Sequence, residues 1–228
     1  MKKLAAEKAV DFIEDDMIVG LGTGSTVEYA LQKIGQKVKE GLTIQGIPSS
    51  LRTKKAAQTH NIPLTTLNDN PEIDLTIDGA DEVDSNLYLI KGGGGALTRE
   101  KMIAFHSERV VIIIDESKVV KRLGIDFPVP VEVTKFGWKA TMNTLEMMGC
   151  IPEMRTITGE PYITDNQNYI IDCDFERITD PEILEKEINL IPGVVENGLF
   201  IDLINEVIVG SKQGIMTLER SEQAQIEN

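Results

Sequence analysis

The chain has 228 residues, 41% of them hydrophobic and 26% charged, an ordinary globular balance that excludes disorder, collagen and coiled coil as its overall state. Lysine and arginine number 23 against 37 aspartate and glutamate, a formal net charge of −14, so the surface repels phosphate backbones and anionic lipid, which argues against nucleic-acid and membrane partners. Cys150 and Cys173 form no C-x-x-C pair, which excludes a zinc ribbon and a disulfide scaffold and suits a reducing cytosol.

Residues 1–7 carry two lysines without an apolar run behind them, because Glu7, Lys8 and Asp11 interrupt it, and a signal peptide is not expected. Ala6, Ala9, Val10 and Ile13 recur at helical spacing and predict an amphipathic helix that Asp15 and Asp16 end. The apolar run 17–22, closed by Gly20 and Gly22, reads as a buried parallel strand. Ser25-x-x-Glu28 then fits a capping box for a helix whose apolar face is Val27, Ala30, Leu31, Ile34 and Val38. Strands at 42–47, 73–77, 87–90 and 110–114 are interleaved with helices at 51–60 and 96–105. That alternation predicts a parallel sheet with helices on both faces and ligands beyond the carboxyl ends of the strands.

The texture changes after Pro128-Val129-Pro130. A strand at 129–133, a helix at 138–148, a strand pair at 151–157 and 169–173, a helix at 181–190 and a strand at 194–201 follow. Asp180 caps the second helix, with Pro181 at its first position. The order β-α-β-β-α-β is the ferredoxin-like pattern. The expected fold is therefore α/β: a doubly wound, mostly parallel, Rossmann-like sheet, residues 1–126 with 204–228, into which a ferredoxin-like α+β unit, 127–203, is inserted. The run 206–210 returns to the first sheet, and the polar tail from 221 is expected to fray.

Four clusters at strand ends carry the candidate chemistry. Gly20-Leu21-Gly22-Thr23-Gly24-Ser25-Thr26 lies between a strand and a helix, where glycine N–H groups, hydroxyls and a helix N-terminus receive an anion. A plain tight turn is the competing reading. Ser25 stands where the last glycine of G-x-G-x-x-G belongs, and G-x-x-x-x-G-K-[ST] is absent, so a small phosphate monoester fits better than a dinucleotide or ATP. Asp78 and Asp81, in Asp78-Gly79-Ala80-Asp81-Glu82, are suited to sugar hydroxyls or proton movement, with turn capping or an all-oxygen Mg²⁺ site as alternatives.

Lys91-Gly92-Gly93-Gly94-Gly95 holds more glycines than a turn requires, and Glu100, about one turn into the next helix, leans back over them. A carboxylate beside a fixed cation suits proton abstraction next to a carbonyl, although taken alone Glu100 reads as a first-turn glutamate favourable to the helix dipole. Lys118, in Asp115-Glu116-Ser117-Lys118, stands at another strand end as a second phosphate contact or a plain surface lysine. Lys2 and Lys3 could touch a bound phosphate, but no motif places either one.

Gly22-Thr23-Gly24-Ser25-Thr26, Asp78-Gly79-Ala80-Asp81-Glu82, Lys91-Gly92-Gly93-Gly94 with Ala96-Leu97-Thr98-Arg99-Glu100-Lys101, and Asp115-x-Ser117-Lys118 together resemble ribose-5-phosphate isomerase of the A type. Phe127-Pro128-Val129-Pro130-Val131-Glu132-Val133, Ile191-Pro192-Gly193-Val194-Val195 and Gly198-Leu199-Phe200 extend the resemblance along nearly the whole chain in the right order. It implies interconversion of ribose 5-phosphate and ribulose 5-phosphate in the non-oxidative pentose phosphate pathway, through ring opening and a cis-enediolate, with no metal and no cofactor. On this resemblance Glu100 is the proton-transferring base, Asp78 and Asp81 bind hydroxyls and assist ring opening, and Lys91 steadies the enediolate oxygens. Thr23, Gly24, Ser25, Thr26, Gly79, Ala80, Gly92, Gly93, Gly94 and Lys118 hold the substrate with them. The resemblance also implies a homodimer or homotetramer in the cytoplasm. Two rivals are a non-catalytic sugar-phosphate sensor, against which the joint presence of Asp78, Asp81, Lys91 and Glu100 argues, and an acyl or CoA transferase with a nucleophilic glutamate.

Overall fold

The structure, a computed structural model, describes residues 1–219; the tail expected to fray lies outside the described residues. Helix α1 (Lys2–Val10) leads into β1 (Ile18–Leu21), α2 (Val27–Lys39), β2 (Gln45–Pro48), α3 (Leu51–Thr59) and β3 (Ile73–Asp78). Two short strands, β4 (Glu82–Val83) and β5 (Leu89–Ile90), precede α4 (Leu97–Phe105) and the long β6 (Ser107–Asp115). Then come β7 (Val129–Val133), α5 (Trp138–Met147), β8 (Cys150–Met154), a small hairpin of β9 (Thr156–Ile157) and β10 (Glu160–Pro161), β11 (Tyr169–Phe175) and α6 (Pro181–Asn189). Strands β12 (Val194–Asn197), β13 (Leu199–Phe200), β14 (Glu206–Ser211) and β15 (Gly214–Glu219) close the described chain.

The main sheet has the order β15-β14-β6-β3-β1-β2. It is parallel throughout except for β15, which runs antiparallel to β14 at one edge. From β1 the chain steps outward to β2 and then crosses to β3 on the other side. The carboxyl ends of β1 and β3 therefore flank the switch point where such sheets bind ligands.

Side chains alternate across the strands and divide the core. Val111, Ile113 and Ile208 pack with Ala5, Ala9, Leu31 and Ile34 of α1 and α2 on one face. Val110, Ile112, Ile114, Val207 and Val209 pack with Leu89, Ala104 and Phe200 on the other. A strand covered on both faces reads as the continuous apolar run seen in β6.

The second sheet has the order β12-β7-β11-β8, antiparallel throughout, and carries α5 and α6, the ferredoxin-like arrangement. As expected, the Asp180 carboxylate accepts a hydrogen bond from Ile183 N–H at 3.0 Å at the start of α6.

Three expectations need correction. The strand at 87–90 is not part of the parallel sheet: β5 lies between β4 and β13 in a small antiparallel sheet. The run 194–201 is two strands in two sheets, β12 and β13, with Gly198 between them. A Cβ at Gly198 would overlap the Lys91 carbonyl and come within 2.7 Å of Pro130 Cδ, so only glycine lets the chain pass between sheets there. Ser25 forms no capping box: α2 begins at Val27 after Thr26, which makes no side-chain cap bond. The Ser25 hydroxyl is engaged instead by Lys2 Nζ at 2.8 Å.

A buried carboxylate joins the two sheets. Glu132 on β7 is fully buried. It accepts hydrogen bonds from Thr98 of α4 at 2.6 Å, Thr164 at 2.9 Å, Asn168 at 2.9 Å and Asn166 at 3.2 Å. The partners are two hydroxyls and two amide NH₂ groups, so Glu132→Gln exchanges charge-assisted hydrogen bonds for neutral ones and turns one acceptor oxygen into a donor that only a threonine hydroxyl can accept. The expected result is a loss of about 1–3 kcal/mol, read as a lowered urea midpoint at an unchanged slope.

Candidate active site

A cavity of about 200 Å³ opens at the carboxyl ends of β1 and β3. It is smaller than the roughly 300–1,000 Å³ typical of drug-sized ligands, which favours a compact ligand over a dinucleotide. Lys2, Arg52, Lys91 and Lys118 bring cations to its wall, and Asp81, Glu100 and Asp115 bring carboxylates. On a chain of net charge −14 this is a local concentration of positive charge.

The turn after β1 forms one wall, with Thr23, Gly24, Ser25 and Thr26 at the N-terminal end of α2. The Thr23 hydroxyl meets those of Ser49, Ser50 and Thr53 at 2.8, 2.8 and 3.0 Å, and Thr53 in turn donates to the Gly22 carbonyl at 2.8 Å. This hydroxyl cluster fixes the turn to the start of α3. A Cβ at Gly22 would overlap the Asp78 carboxyl group, so glycine is required for the two strand ends to lie side by side.

Behind that turn is an almost fully buried ionic cluster. Lys91 Nζ lies 3.0 Å from Asp78 Oδ2 and 3.3 Å from Glu100 Oε1, with all three side chains at most 5% exposed. Lys91 Nζ also donates to the Gly79 carbonyl at 2.5 Å. Asp78 Oδ1 accepts from Thr23 N–H at 3.0 Å and Gly79 N–H at 2.7 Å. Between the Asp78 and Glu100 carboxylates the cation is thus the lysine ammonium.

Burial and the Asp78 charge raise the Glu100 carboxyl to about 8, against the pull of the Lys91 ammonium. Burial works to lower the Lys91 ammonium, but Asp78 and Glu100 outweigh it and hold it above the ordinary lysine range. A carboxylate that titrates near neutrality beside a permanent cation is equipped to exchange a proton while the cation holds developing negative charge.

The cavity wall includes Thr23, Gly24, Ser25, Thr26, Gly79, Ala80, Asp81, Lys91, Gly92, Gly94, Glu100 and Lys118, residues singled out from sequence. Asp78 and Gly93 are not on it. Asp78 sits behind Lys91, and Gly93 turns its N–H to Asp81 Oδ2 at 2.8 Å. Glu82, next in the same motif, accepts instead from Gly124 N–H at 2.6 Å and Asp126 N–H at 2.8 Å, away from the cavity.

The wall also holds Lys2 and Arg52, which no motif marks, and Asp115, which opens the Asp115-x-Ser117-Lys118 motif but has no role assigned from sequence. Lys2 reaches across from α1 and lies 3.9 Å from Asp115. Burial would raise the Asp115 carboxyl, but the Ser117 hydroxyl and N–H, with Lys2 and Lys118, hold it below its ordinary value. Lys3 points elsewhere, 3.8 Å from Glu7.

Comparison with known proteins agrees with this geometry. The family model for ribose 5-phosphate isomerase A (phosphoriboisomerase A) matches residues 45–214. Ribose-5-phosphate isomerase A 1 of Oceanobacillus iheyensis is 51% identical over 216 residues, 94% of this chain and 96% of that protein. Ribose-5-phosphate isomerase A of Pyrococcus horikoshii is 47% identical over 224 residues, 96% of this chain and 98% of that protein. A solved D-ribose-5-phosphate isomerase in complex with phospho-erythronic acid superposes with a TM-score of 0.93 at 46% identity, covering 96% of this chain and 97% of its own. With a single family matched along almost the whole length, and with a small cationic cavity at the switch point of the sheet, the chain belongs to the ribose 5-phosphate isomerase A family.

Proposed function

We propose that Glu100 is the base that carries a proton between C1 and C2 as the chain interconverts D-ribose 5-phosphate and D-ribulose 5-phosphate through a cis-enediolate. The observation that carries this reading is the buried Glu100–Lys91–Asp78 array, whose Glu100 and Lys91 open on the same cavity as the anion-receiving turn 23–26. The phosphate is held by the N–H groups of Gly24, Ser25 and Thr26 and the hydroxyls of Ser25 and Thr26, with Lys2 and Lys118, while Thr23, whose N–H and hydroxyl are engaged by Asp78 and by Ser49, Ser50 and Thr53, fixes the turn that presents them. Asp81 takes a sugar hydroxyl and assists ring opening, while Asp78 acts from behind Lys91 by fixing its ammonium. Glu100 then removes the proton from C2 of the open aldose, Lys91 and the loop N–H groups balance the enediolate charge while the hydroxyl proton passes from O2 to O1, and Glu100 returns its proton to C1, leaving the carbonyl at C2. The solved relative supports the reading, since it holds phospho-erythronic acid, a phosphorylated sugar acid.

This reading assigns residues 1–126 with 204–228 to a catalytic unit and 127–203 to a unit inserted into it. It also assigns the protein to the cytoplasm, in keeping with two free buried cysteines, and to a homodimer or homotetramer. Phe105, Phe136, Met147 and Leu190 stand exposed and are the kind of surface a subunit contact covers; light scattering gives the assembly directly. Among the described residues no helix is long and apolar enough to cross a membrane.

The decisive assay mixes EDTA-treated protein with ribose 5-phosphate and follows ketopentose formation. The expected result is rapid approach to an equilibrium that is also reached from ribulose 5-phosphate. Tight binding without turnover would indicate the sensor instead. Because the base must start deprotonated, kcat/KM is expected to rise with pH through about 8 and level off above it. A rate already flat from pH 5 would remove Glu100 as the base.

A further inference from the structure

The glycine loop is gripped from the side opposite the cavity by an arginine of the ferredoxin-like sheet. Arg155 follows β8, and its backbone is pinned on both sides: its N–H donates to the Ile170 carbonyl at 2.9 Å, and its own carbonyl accepts from Tyr162 N–H at 2.8 Å. Asp172 on β11 holds the guanidinium at two points, Nε at 2.9 Å and Nη2 at 2.5 Å. That two-point pairing fixes the plane of the guanidinium and leaves Nη1 aimed at the loop. Nη1 donates to the Gly92 carbonyl at 2.6 Å and reaches the Gly93 carbonyl at 3.4 Å. Tyr162 covers the same stretch, its hydroxyl 3.3 Å from the Gly94 carbonyl.

Peptide planarity turns this grip into an orientation of the site. In a trans peptide the C=O and the next N–H point in opposite directions. The peptide whose carbonyl Arg155 binds most closely donates its N–H, that of Gly93, to Asp81 at 2.8 Å. The following peptide presents its carbonyl to Arg155, so the N–H of Gly94 turns toward the side where Gly94 lines the cavity. Without Arg155 the Gly92 carbonyl keeps only the turn bond from Gly95 N–H at 2.9 Å and the Gly93 carbonyl loses its contact, so the two glycine peptides are held less firmly and the aim of Asp81 and of the Gly94 donor slackens.

We propose that Arg155, held by Asp172, is a positioning residue for the isomerisation: it orients the 92–94 peptides so that Asp81 and the Gly94 N–H face the reacting sugar. The proposal rests on the reading of the cavity as the isomerase site. Arg155 does not itself line that cavity and acts through the wall loop it binds.

The test compares Arg155→Met, Arg155→Lys and Asp172→Asn with the full-length parent, measuring kcat and KM for ribose 5-phosphate, inhibition by inorganic phosphate, and thermal midpoint. The expected result for Arg155→Met is a fall in kcat of about 10²-fold, the scale of a misplaced catalytic group. Phosphate inhibition should change less than about twofold, because its donors at 24–26 and Lys118 are untouched. Arg155→Lys should recover little, since one ammonium cannot serve both Asp172 and the Gly92 carbonyl. Asp172→Asn, which keeps Arg155 but loosens its aim, should fall between the parent and Arg155→Met and keeps the proposal testable if the latter does not fold. A kcat within twofold of the parent in Arg155→Met, or in Asp172→Asn where that variant alone folds, would overturn the proposal. So would a phosphate affinity that falls in step with kcat, which would mark a general loss of the site. Glu100→Gln, assayed alongside, separates the two levels: if it keeps turnover, the site reading itself fails, whereas an inactive Glu100→Gln beside a fully active Arg155→Met sinks only the role of Arg155.

Discussion

Glu100→Gln is expected to fold, to bind ribose 5-phosphate with nearly unchanged affinity, and to lose about 10²–10⁴-fold in kcat, the usual contribution of a positioned base. The amide has the size of the carboxylate and still faces Lys91, which keeps Asp78 at 3.0 Å and the Gly79 carbonyl at 2.5 Å. Only the capacity to accept a proton disappears, so the loss belongs in kcat rather than KM.

A stability measurement on the same variant tests the physical cause. Glu100 is raised in the folded protein to about 8 from an ordinary value of 4.5, so the folded state binds that proton more tightly than the unfolded chain. The resulting stabilisation is fully present below the ordinary value and is lost as pH rises from about 4.5 through about 8. Glutamine does not titrate. The parent should therefore lose thermal stability relative to Glu100→Gln between pH 5 and 9, while losing none of its rate advantage. Full turnover in this variant would reassign the base; parallel stability curves would mean that Glu100 is not held protonated by burial.

Much of this arrangement is legible in the sequence because strand ends carry their own punctuation. Glycines after 17–21, Asp78-Gly79 after 73–77 and Lys91 with four glycines after 87–90 mark the places where a buried apolar run stops and a polar group must emerge. Helix α3 is likewise announced by Ser50, whose hydroxyl accepts from Thr53 N–H at 3.0 Å.

Periodicity reports that a segment is buried, however, and is silent about what it is buried against. Residues 194–201 read as one continuous strand through Gly198, yet the two halves pair with β7 and β5 in different sheets. The site shows the same limit. Lys2 and Arg52 reach one cavity from two separate parts of the chain, and nothing local to a surface lysine or arginine distinguishes an anion contact from a solvated charge. Arg155 and Glu132 are still less visible, since their importance lies in which carbonyls and donors the tertiary fold brings to them. Asp78 illustrates the converse. Its strand-end position is readable, but only the packed structure puts it behind Lys91 rather than on the cavity wall.

Lys91→Met should produce the second large effect, on both stability and rate, and the two can be separated by pH. The ammonium lies among Asp78, Glu100 and the Gly79 carbonyl, with the Phe200 ring centre 5.4 Å away. Its raised value means that its contribution is complete at neutral pH and is lost only as pH climbs beyond the ordinary lysine range. Methionine fills the stem but leaves two carboxylates buried side by side, and removing one partner of a buried ion pair costs about 3–5 kcal/mol. The chain has one way to relieve this, which is to protonate Glu100. The deficit should therefore be smaller at pH 5–6 than at pH 8–9, and the double variant Lys91→Met/Glu100→Gln should be more stable than Lys91→Met alone. Such non-additivity is the mark of groups that share one charge balance. Turnover should fall by about 10²–10³-fold, as when a donor to a developing oxyanion is removed, and lowering the pH should restore stability without restoring rate. If Lys91→Met melted like the parent at every pH, the ammonium would not be the counter-charge on which this buried site depends.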